Sequence, residues 1–185
     1  MFKKIEDVSN INPLNKTAQK KLREKIIDAF PLLESVLDDF MPKKCTINSQ
    51  KFYTQEHKYE LFWVEKFPAF FKNDKEDELF PTVRLIHMYP DFLPRMQTDS
   101  GAIKFILNGS NVMSKGLQTQ GAFIDESVQN RSIVAVYAQG KEHAMGVGKC
   151  TMNAQGIREA EIGEGIIMYH IIGDQLWLLQ EPKKK

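Results

Sequence analysis

Asp99-Ser-Gly-Ala-Ile-Lys-Phe-Ile-Leu-Asn-Gly-Ser-Asn-Val-Met-Ser-Lys-Gly-Leu-Gln-Thr-Gln-Gly-Ala122 is the stretch on which the reading of this chain turns. Gly101, Gly109, Gly116 and Gly121 punctuate two short apolar runs. Glycine accepts positive φ and, lacking a Cβ, lets another backbone come close. A short helix between glycine turns, leading into a strand, is expected to present open backbone amides beside Lys104 and Lys115. Such a surface suits a phosphate or a nucleotide edge. The stretch supplies no nucleophile, metal cage or proton relay, so it points to binding, with RNA as the expected ligand.

Composition sets the frame. With 185 residues, 42% hydrophobic and 26% charged, the chain suits one large domain or two small ones sharing an interface. The net charge of +1 leaves no global polycation, so any nucleic-acid binding must come from a local patch. Cys45 and Cys150 are the two cysteines, and no Cys-x-x-Cys pair exists. A zinc ribbon or thioredoxin-like site is thereby excluded, and two reduced thiols are expected. Met1-Phe-Lys-Lys-Ile-Glu-Asp7 carries charge too early for a secretory signal. No apolar run approaches the roughly 20 residues that span a bilayer. A cytoplasmic protein is expected.

Working outward, residues 17–40 read as helical. Leu22, Ile26, Ala29, Phe30 and Leu33 recur at steps of three and four, with Thr17 as N-cap. Pro31 opens a second helix whose inner face is Leu32, Leu33, Val36, Leu37 and Phe40, and Pro42 stops it. Lys20, Lys21, Arg23 and Lys25 form either a solvated face or an RNA contact. Ile47–Tyr53, Tyr59–Val64 and Ala69–Lys72 read as a small antiparallel sheet. The acidic stretch at 73–78 reads as a solvated tip that repels phosphate. A short helix capped by Thr82 and ended by Pro90 follows, with Val83 and Ile86 inward and Arg84 outward.

The stiff junction at Pro90 and Pro94 sets the expected boundary. Residues 1–94 form an N-terminal α+β domain, 95–181 a small β-barrel with short helices, and 182–185 a disordered basic tail. In the second part, strands are expected near Met96–Thr98, Asn111–Met113, Leu117–Thr119, Ser132–Ala138, Ala144–Met152, Ile166–Ile171 and Leu176–Leu179. Helices are expected at Ala102–Leu107 and Ala154–Ala160. Many short strands with glycine at the corners suggest a closed barrel.

The pattern Gly-Ala-Ile-Lys-Phe-x-Leu-x-Gly-x-Asn-x-Met-x-x-Gly-Leu-x-x-x-Gly-Ala at 101–122 resembles the signature of the PUA domain, an RNA-binding module. Ile133-Val134-Ala135-Val136 and the hairpin Gly140–Gly148 fit the same pattern. Phe30-Pro31, Met41-Pro42-Lys43-Lys44 and Phe80-Pro81-Thr82-x-Arg84-Leu85-x-His87-x-Tyr89-Pro90 extend the likeness upstream. With Gly163-x-Gly165 and Leu176-Trp177, nearly the whole chain resembles the malignant T-cell-amplified sequence protein family of PUA-domain translation machinery-associated factors. The resemblance implies a non-enzymatic factor without cofactor or metal. It implies pairing with a density-regulated protein homologue on the small ribosomal subunit, promotion of reinitiation, and release of tRNA and mRNA after termination. The family usually has Pro-Gly after the methionine of the second strand; here Ser114-Lys115-Gly116 keeps the turn, loosens it and adds a cation.

Carried onto matching positions, the resemblance implies an RNA groove of Gly101, Ala102, Lys104, Gly109, Ser110, Asn111, Lys115 and Gly116. Lys141 and His143 form its far wall. Lysines neutralise phosphate, and Ser110 and Asn111 read a base edge or a 2′-hydroxyl of rRNA or a tRNA acceptor end. No membrane or DNA partner is expected. Phe62, Trp63, Phe67, Phe70 and Phe71 are candidates for the partner surface, or else core. An enzyme is the weaker rival, because His57, His87, His143 and His170 are scattered with no nucleophile at a known spacing. Gly146-Val147-Gly148-Lys149-Cys150 lacks the upstream glycine and the hydroxyl of a phosphate loop and reads as a hairpin. A protein-binding adaptor whose barrel does not touch RNA is the stronger rival, favoured by the near-neutral charge.

Overall fold

The computed structural model describes residues 2–179; the expected disorder of the 182–185 tail lies outside them. β1 (Asp7–Val8) and β2 (Asn12–Pro13) are two-residue strands, too short for any periodicity to announce. Asn15, not Thr17, starts α1 (Lys16–Ala29), its side-chain oxygen accepting from the Ala18 amide at 2.8 Å. Such a cap satisfies one of the orphaned first-turn amides. Leu22 and Ile26 are buried, while Ala29 is exposed. Pro31 opens a 3-10 helix (Pro31–Val36) that runs into α2 (Leu37–Phe40). Three residues per turn put Leu33 and Val36 on one face and turn Leu32 off it. Leu33 is fully buried and Leu32 is 67% exposed, against the expected inner face.

β3 (Ile47–Tyr53), β4 (Lys58–Val64), β5 (Phe67–Asn73) and β6 (Phe80–Pro81) complete an antiparallel sheet with β1 and β2. Alternate residues point to opposite faces. Gln50, Phe52, Tyr59, Leu61 and Phe71 share one face; Ser49, Lys51, Glu60, Phe62, Phe70 and Lys72 share the other. The helices pack on part of this second face, where Phe30 stacks on Phe70 and Phe40 lies beside it. Thr82 caps α3 (Val83–Met88), accepting from the Leu85 amide at 3.3 Å and donating to the Pro68 carbonyl at 2.7 Å. Val83 and Ile86 are buried. Arg84 does not point outward: it lies 4.8 Å over the Trp177 ring and donates to the Trp177 carbonyl.

β7 (Arg95–Thr98), a 3-10 turn (Ser100–Ala102), α4 (Ile103–Leu107), β8 (Val112–Met113), a 3-10 helix (Ser114–Leu117) and β9 (Phe123–Ile124) follow. β10 (Ile133–Ala138), β11 (Gly146–Cys150), α5 (Ala154–Glu159), β12 (Glu164–Ile171) and α6 (Gln175–Leu178) complete the second half. Its strand order is β8-β12-β11-β10-β7-β9, with β7 and β10 parallel and the other pairs antiparallel. The expected class, an α+β unit packed on a small β-barrel with short helices, is the one the chain adopts. The barrel is open, because the edge strands β8 and β9 do not pair with each other. Leu117–Thr119 is no strand, and of Leu176–Leu179 all but the extended Leu179 lie in a helix capped by Asp174. Short apolar runs do not separate strand from helix by themselves.

One apolar cluster spans both halves: Phe80 stacks on Tyr169 at 4.2 Å, and His170 meets Phe71 edge-on at 5.8 Å. A second cluster, including Met96, Ile106, Val136 and Ile166, fills the C-terminal sheet. The Gln175 amide donates to the Phe2 carbonyl at 2.9 Å, so the two ends of the described chain meet. The acidic stretch at 73–78 is not a free tip. The Lys149 ammonium, 8% exposed, holds Glu76 at 2.7 Å and Glu78 at 2.8 Å. Glu78 also pairs with Arg131 at 2.6 Å, Asp77 with Lys25 at 2.5 Å, and the Tyr169 hydroxyl donates to Glu76. Acid residues that looked solvated clamp the halves together.

This clamp has a measurable signature. Burial opposes ionisation of Glu78, but hydrogen bonds from Lys149 and Arg131 outweigh it and lower its pKa. A lowered carboxylate contributes stability that is present above its unfolded pKa and lost as pH falls through the folded one. The clamp therefore weakens below about pH 4. Lys149→Met, which keeps the stem and removes the charge, is expected to cost roughly 2–3 kcal/mol in urea denaturation and to flatten the acid slope. That cost sits below the ~3–5 kcal/mol of a fully buried pair because solvent screens the part-exposed carboxylates.

Candidate nucleic-acid interface

Thr98 and Asp99 form the hub of the candidate site. β7 and β10 run parallel, so both finish at one end of the sheet, and the Gln139 amide donates to the Thr98 carbonyl at 2.8 Å. The 99–109 segment and the 139–143 turn therefore leave from the same end. The Thr119 hydroxyl donates to Asp99 Oδ2 at 2.9 Å, drawing the segment after Lys115 to the same place. Gly121, at φ +89°, lets Gln139 lie against it: a Cβ there would stand 2.3 Å from the glutamine side chain. The three segments that carry Gly101, Ala102 and Lys104, Lys115 and Gly116, and Lys141 are thus each tied to this hub. His143 stands on the side of the N-terminal half, its ring 5.1 Å from that of His87.

The expected open amides are already used. The Asp99 carboxylate accepts from the Gly101 amide at 2.7 Å and the Ala102 amide at 3.2 Å. The Thr119 hydroxyl, then the Gly101 amide, hold its pKa below the ordinary carboxylate value. An anion of the chain itself occupies the place expected for phosphate. Gly109, at φ +99°, closes α4: its amide donates to the Ile106 carbonyl and the Ser110 amide to the Phe105 carbonyl. This is the paired closure in which glycine takes the left-handed conformation after a helix. Asn111 ties β8 to β12, donating to Glu164 Oε1 at 2.8 Å and accepting from the Met168 amide at 2.9 Å. Its amide group is committed to the fold and does not read a base.

What remains exposed is side chain. Ser110, Lys104, Lys115, Lys141 and His143 face solvent, and Gly116 is half-buried with open space where a Cβ would stand. The Lys115 ammonium lies 3.2 Å from Gln118 Oε1. Arg131, Lys149 and Arg158 of this half are in ion pairs. Among the described residues, Lys104, Lys115 and Lys141 have no carboxylate partner. Lys104 lies 4.9 Å over the Phe105 ring, and Phe105 is 56% exposed beside an exposed Leu107. Phe105 escaped the sequence reading because Phe-Ile-Leu looks like core. In a helix this short only Ile106 turns fully inward, which i, i+3 spacing from Ile103 could have revealed.

The proposed partner cluster is corrected by burial. Phe62, Trp63, Phe70 and Phe71 are core, none more than 6% exposed. Both faces of β4 and β5 are covered along this stretch, so a continuous apolar run marks the interior. The Trp63 indole N–H donates to the buried Gln50 side chain at 3.1 Å. Phe67, at the start of β5, is half-buried.

Groups with catalytic chemistry lie elsewhere. Burial pushes the Cys150 thiol up to about 12, and His170 is held by Asp174 at 2.9 Å inside the core. Among the described residues, no three His, Cys, Asp or Glu side chains could hold one metal ion. No described helix is long and apolar enough to cross a membrane.

The chain matches the family model described as Pre-PUA-like domain over residues 2–90 and that described as elF2D, PUA domain over 93–175. It is 38% identical over 181 residues to translation machinery-associated protein 20 of Eremothecium gossypii, covering 96% of this chain and 97% of that one. It is 38% identical over 186 residues to malignant T-cell-amplified sequence 1-B of Xenopus laevis, covering 99% and 100%. Among solved structures, a hypothetical protein from the archaeon Pyrococcus horikoshii OT3 shares the fold with a TM-score of 0.73 at 21% identity, covering 93% of this chain and 100% of that one.

Two substitutions test this geometry. The Ser114 hydroxyl is buried without a hydrogen-bond partner. Ser114→Ala is therefore expected to leave stability unchanged or raise it by up to about 1 kcal/mol in thermal or urea melts. Asp99→Asn keeps a cap for the amides and removes the anion. It is expected to tighten binding of a labelled RNA roughly two- to five-fold at low salt, an effect that shrinks as salt rises.

Proposed function

We propose, for a chain that belongs to the family of translation machinery-associated protein 20 and malignant T-cell-amplified sequence 1, the role of a non-catalytic, cytoplasmic RNA- and ribosome-binding translation factor. It works on the small ribosomal subunit with a density-regulated protein homologue, promoting reinitiation and the release of tRNA and mRNA after termination. Full-length similarity to relatives named for the translation machinery supports the setting. The observation that carries RNA contact is the group of lysines around Asp99. Lys104, Lys115 and Lys141 are exposed and lack carboxylate partners among the described residues, whereas Arg131, Lys149 and Arg158 of the same half are in ion pairs and Arg95 lies over the Tyr137 ring.

Contact therefore runs through side chains. The lysines neutralise phosphates, and the exposed Ser110 hydroxyl meets a base edge or 2′-hydroxyl. Three phosphate contacts make a weak site for isolated RNA. Useful affinity arises on the ribosome, where several weak surfaces act together.

The adaptor reading has one observation in its favour. Phe105, Leu107 and Met113 are exposed apolar side chains of α4 and β8. Phe105, the most exposed of them, replaces the buried aromatic cluster as the docking place for the partner protein.

One set of variants separates the readings. Lys104→Glu with Lys115→Glu is expected to lower co-sedimentation with small ribosomal subunits about ten-fold or more, most strongly at low salt. Phe105→Ser is expected to abolish capture of the density-regulated protein homologue and leave direct RNA binding intact. Unchanged subunit binding in the double lysine variant would favour the adaptor.

A further inference from the structure

The N-terminal sheet carries a cationic concavity that the site around Asp99 does not use. Across β3, β4 and β5, Lys51 faces Glu60, which faces Lys72; in the next row Tyr53 faces Lys58. These residues share the face whose other end is covered by helices through Phe30 and Phe40 on Phe70. The helix layer stops short of them, leaving Lys51 exposed and Lys58 and Lys72 half-buried. The segment after β5 folds up beside the rows, enclosing a concavity of about 340 Å³ that includes Lys51, Lys58, Glu60, Lys72 and Lys75. Asn73 Oδ1 accepts from the Lys75 amide at 3.0 Å and the Glu76 amide at 2.5 Å, which fixes the rim.

The acids around this concavity are mostly spoken for. Glu60 is held by Lys72 at 3.3 Å, Asp77 by Lys25, and Glu76 by Lys149 and Tyr169. Asp74 alone of the rim acids has no cation partner among the described residues. Lys51, Lys58 and Lys75 have no carboxylate partner among the described residues. The lining itself holds four lysines and four carboxylates, but Lys25 and Lys149 neutralise Asp77 and Glu76 from outside it, which leaves Lys51, Lys58 and Lys75 facing Asp74. Lys25 continues the basic surface onto α1, beside the exposed Lys21. None of the exposed large apolar side chains lines it, so it offers no group to insert into a bilayer. Cations spread over a rigid sheet at strand and residue spacings, about 5 and 7 Å, suit successive phosphates of one strand.

We propose that this uncovered end of the N-terminal sheet is a second contact for an RNA backbone. It acts without sequence preference and independently of the lysines around Asp99. One clamped molecule then grips a folded RNA at two separated places.

The test uses the full chain and a fluorescein-labelled RNA hairpin, titrated by anisotropy between about 50 and 200 mM salt. The triple change Lys51→Gln, Lys58→Gln and Lys75→Gln is expected to weaken binding roughly ten-fold at low salt and to cut the slope of log affinity against log salt by about 2. Melting curves check that the variant is folded. Photo-crosslinking of the same RNA to the unaltered chain is expected to mark peptides holding residues 51–58 and 72–75, a readout that needs no variant. Unchanged affinity and slope in a folded triple variant, absence of those crosslinks, or stronger binding to anionic lipid vesicles than to RNA would each overturn the proposal. The Lys104→Glu, Lys115→Glu double variant, run alongside, reports on the other site. Its failure to weaken binding would count against that site and leave this one standing.

Discussion

The larger apolar cluster belongs to both sheets at once, and the geometry of every binding surface follows from that. Phe71 and Phe80 of the N-terminal sheet close against Tyr169 and His170 of the C-terminal one. Apolar contact alone is non-directional. Direction comes from the polar ties at its rim: Lys149 between Glu76 and Glu78, Arg84 on Trp177, and His87 Nε2 within 2.8 Å of the Ala144 carbonyl. Together they fix one sheet relative to the other. The lysines around Asp99 and those on the uncovered end of β3–β5 therefore keep a constant separation. A ligand that meets both gains affinity without the cost of ordering a linker.

Around Asp99 the chain has resolved a conflict between folding and binding in favour of folding. The amides of Gly101, Ala102, Gly109 and Ser110 all donate within the protein. Leaving such groups unpaired without a ligand would cost stability. With the amides satisfied, what this surface still offers to solvent is lysine side chains and the Ser110 hydroxyl. The local carboxylate of Asp99 also moderates the attraction of this surface to polyanions.

Much of the architecture was legible in the residues. β3, β4 and β5 were readable because their aromatic and β-branched runs are long enough to show a period and are bounded by polar turns. The glycine-punctuated 99–122 stretch correctly indicated a short helix and turns. What it could not indicate was who satisfies the amides, although aspartate just before Ser-Gly-Ala is itself an N-cap signal. Leu32 was misplaced because a 3-10 helix shifts the inward face by a fraction of a turn. Phe62, Trp63, Phe70 and Phe71 left both core and interface open, because an aromatic run looks the same whether a helix layer or a partner covers it. The 73–78 acids read as solvated because Lys149 and Arg131, their partners, lie far along the chain. Long-range ion pairs leave no local pattern.

The bond from Gln175 to the Phe2 carbonyl, with Tyr169 and Leu176 in the shared core, sets an order of events during synthesis. A chain emerging from its own ribosome displays Phe2, Phe71 and Phe80 long before the residues that cover them exist. The parallel pairing of β7 with β10 must likewise wait for the intervening segment. Closure of so long a loop is entropically slow. The nascent protein therefore exposes this apolar surface until Tyr169, His170 and Leu176 have been made, and the segment that carries them acts as the latch that ends that exposure.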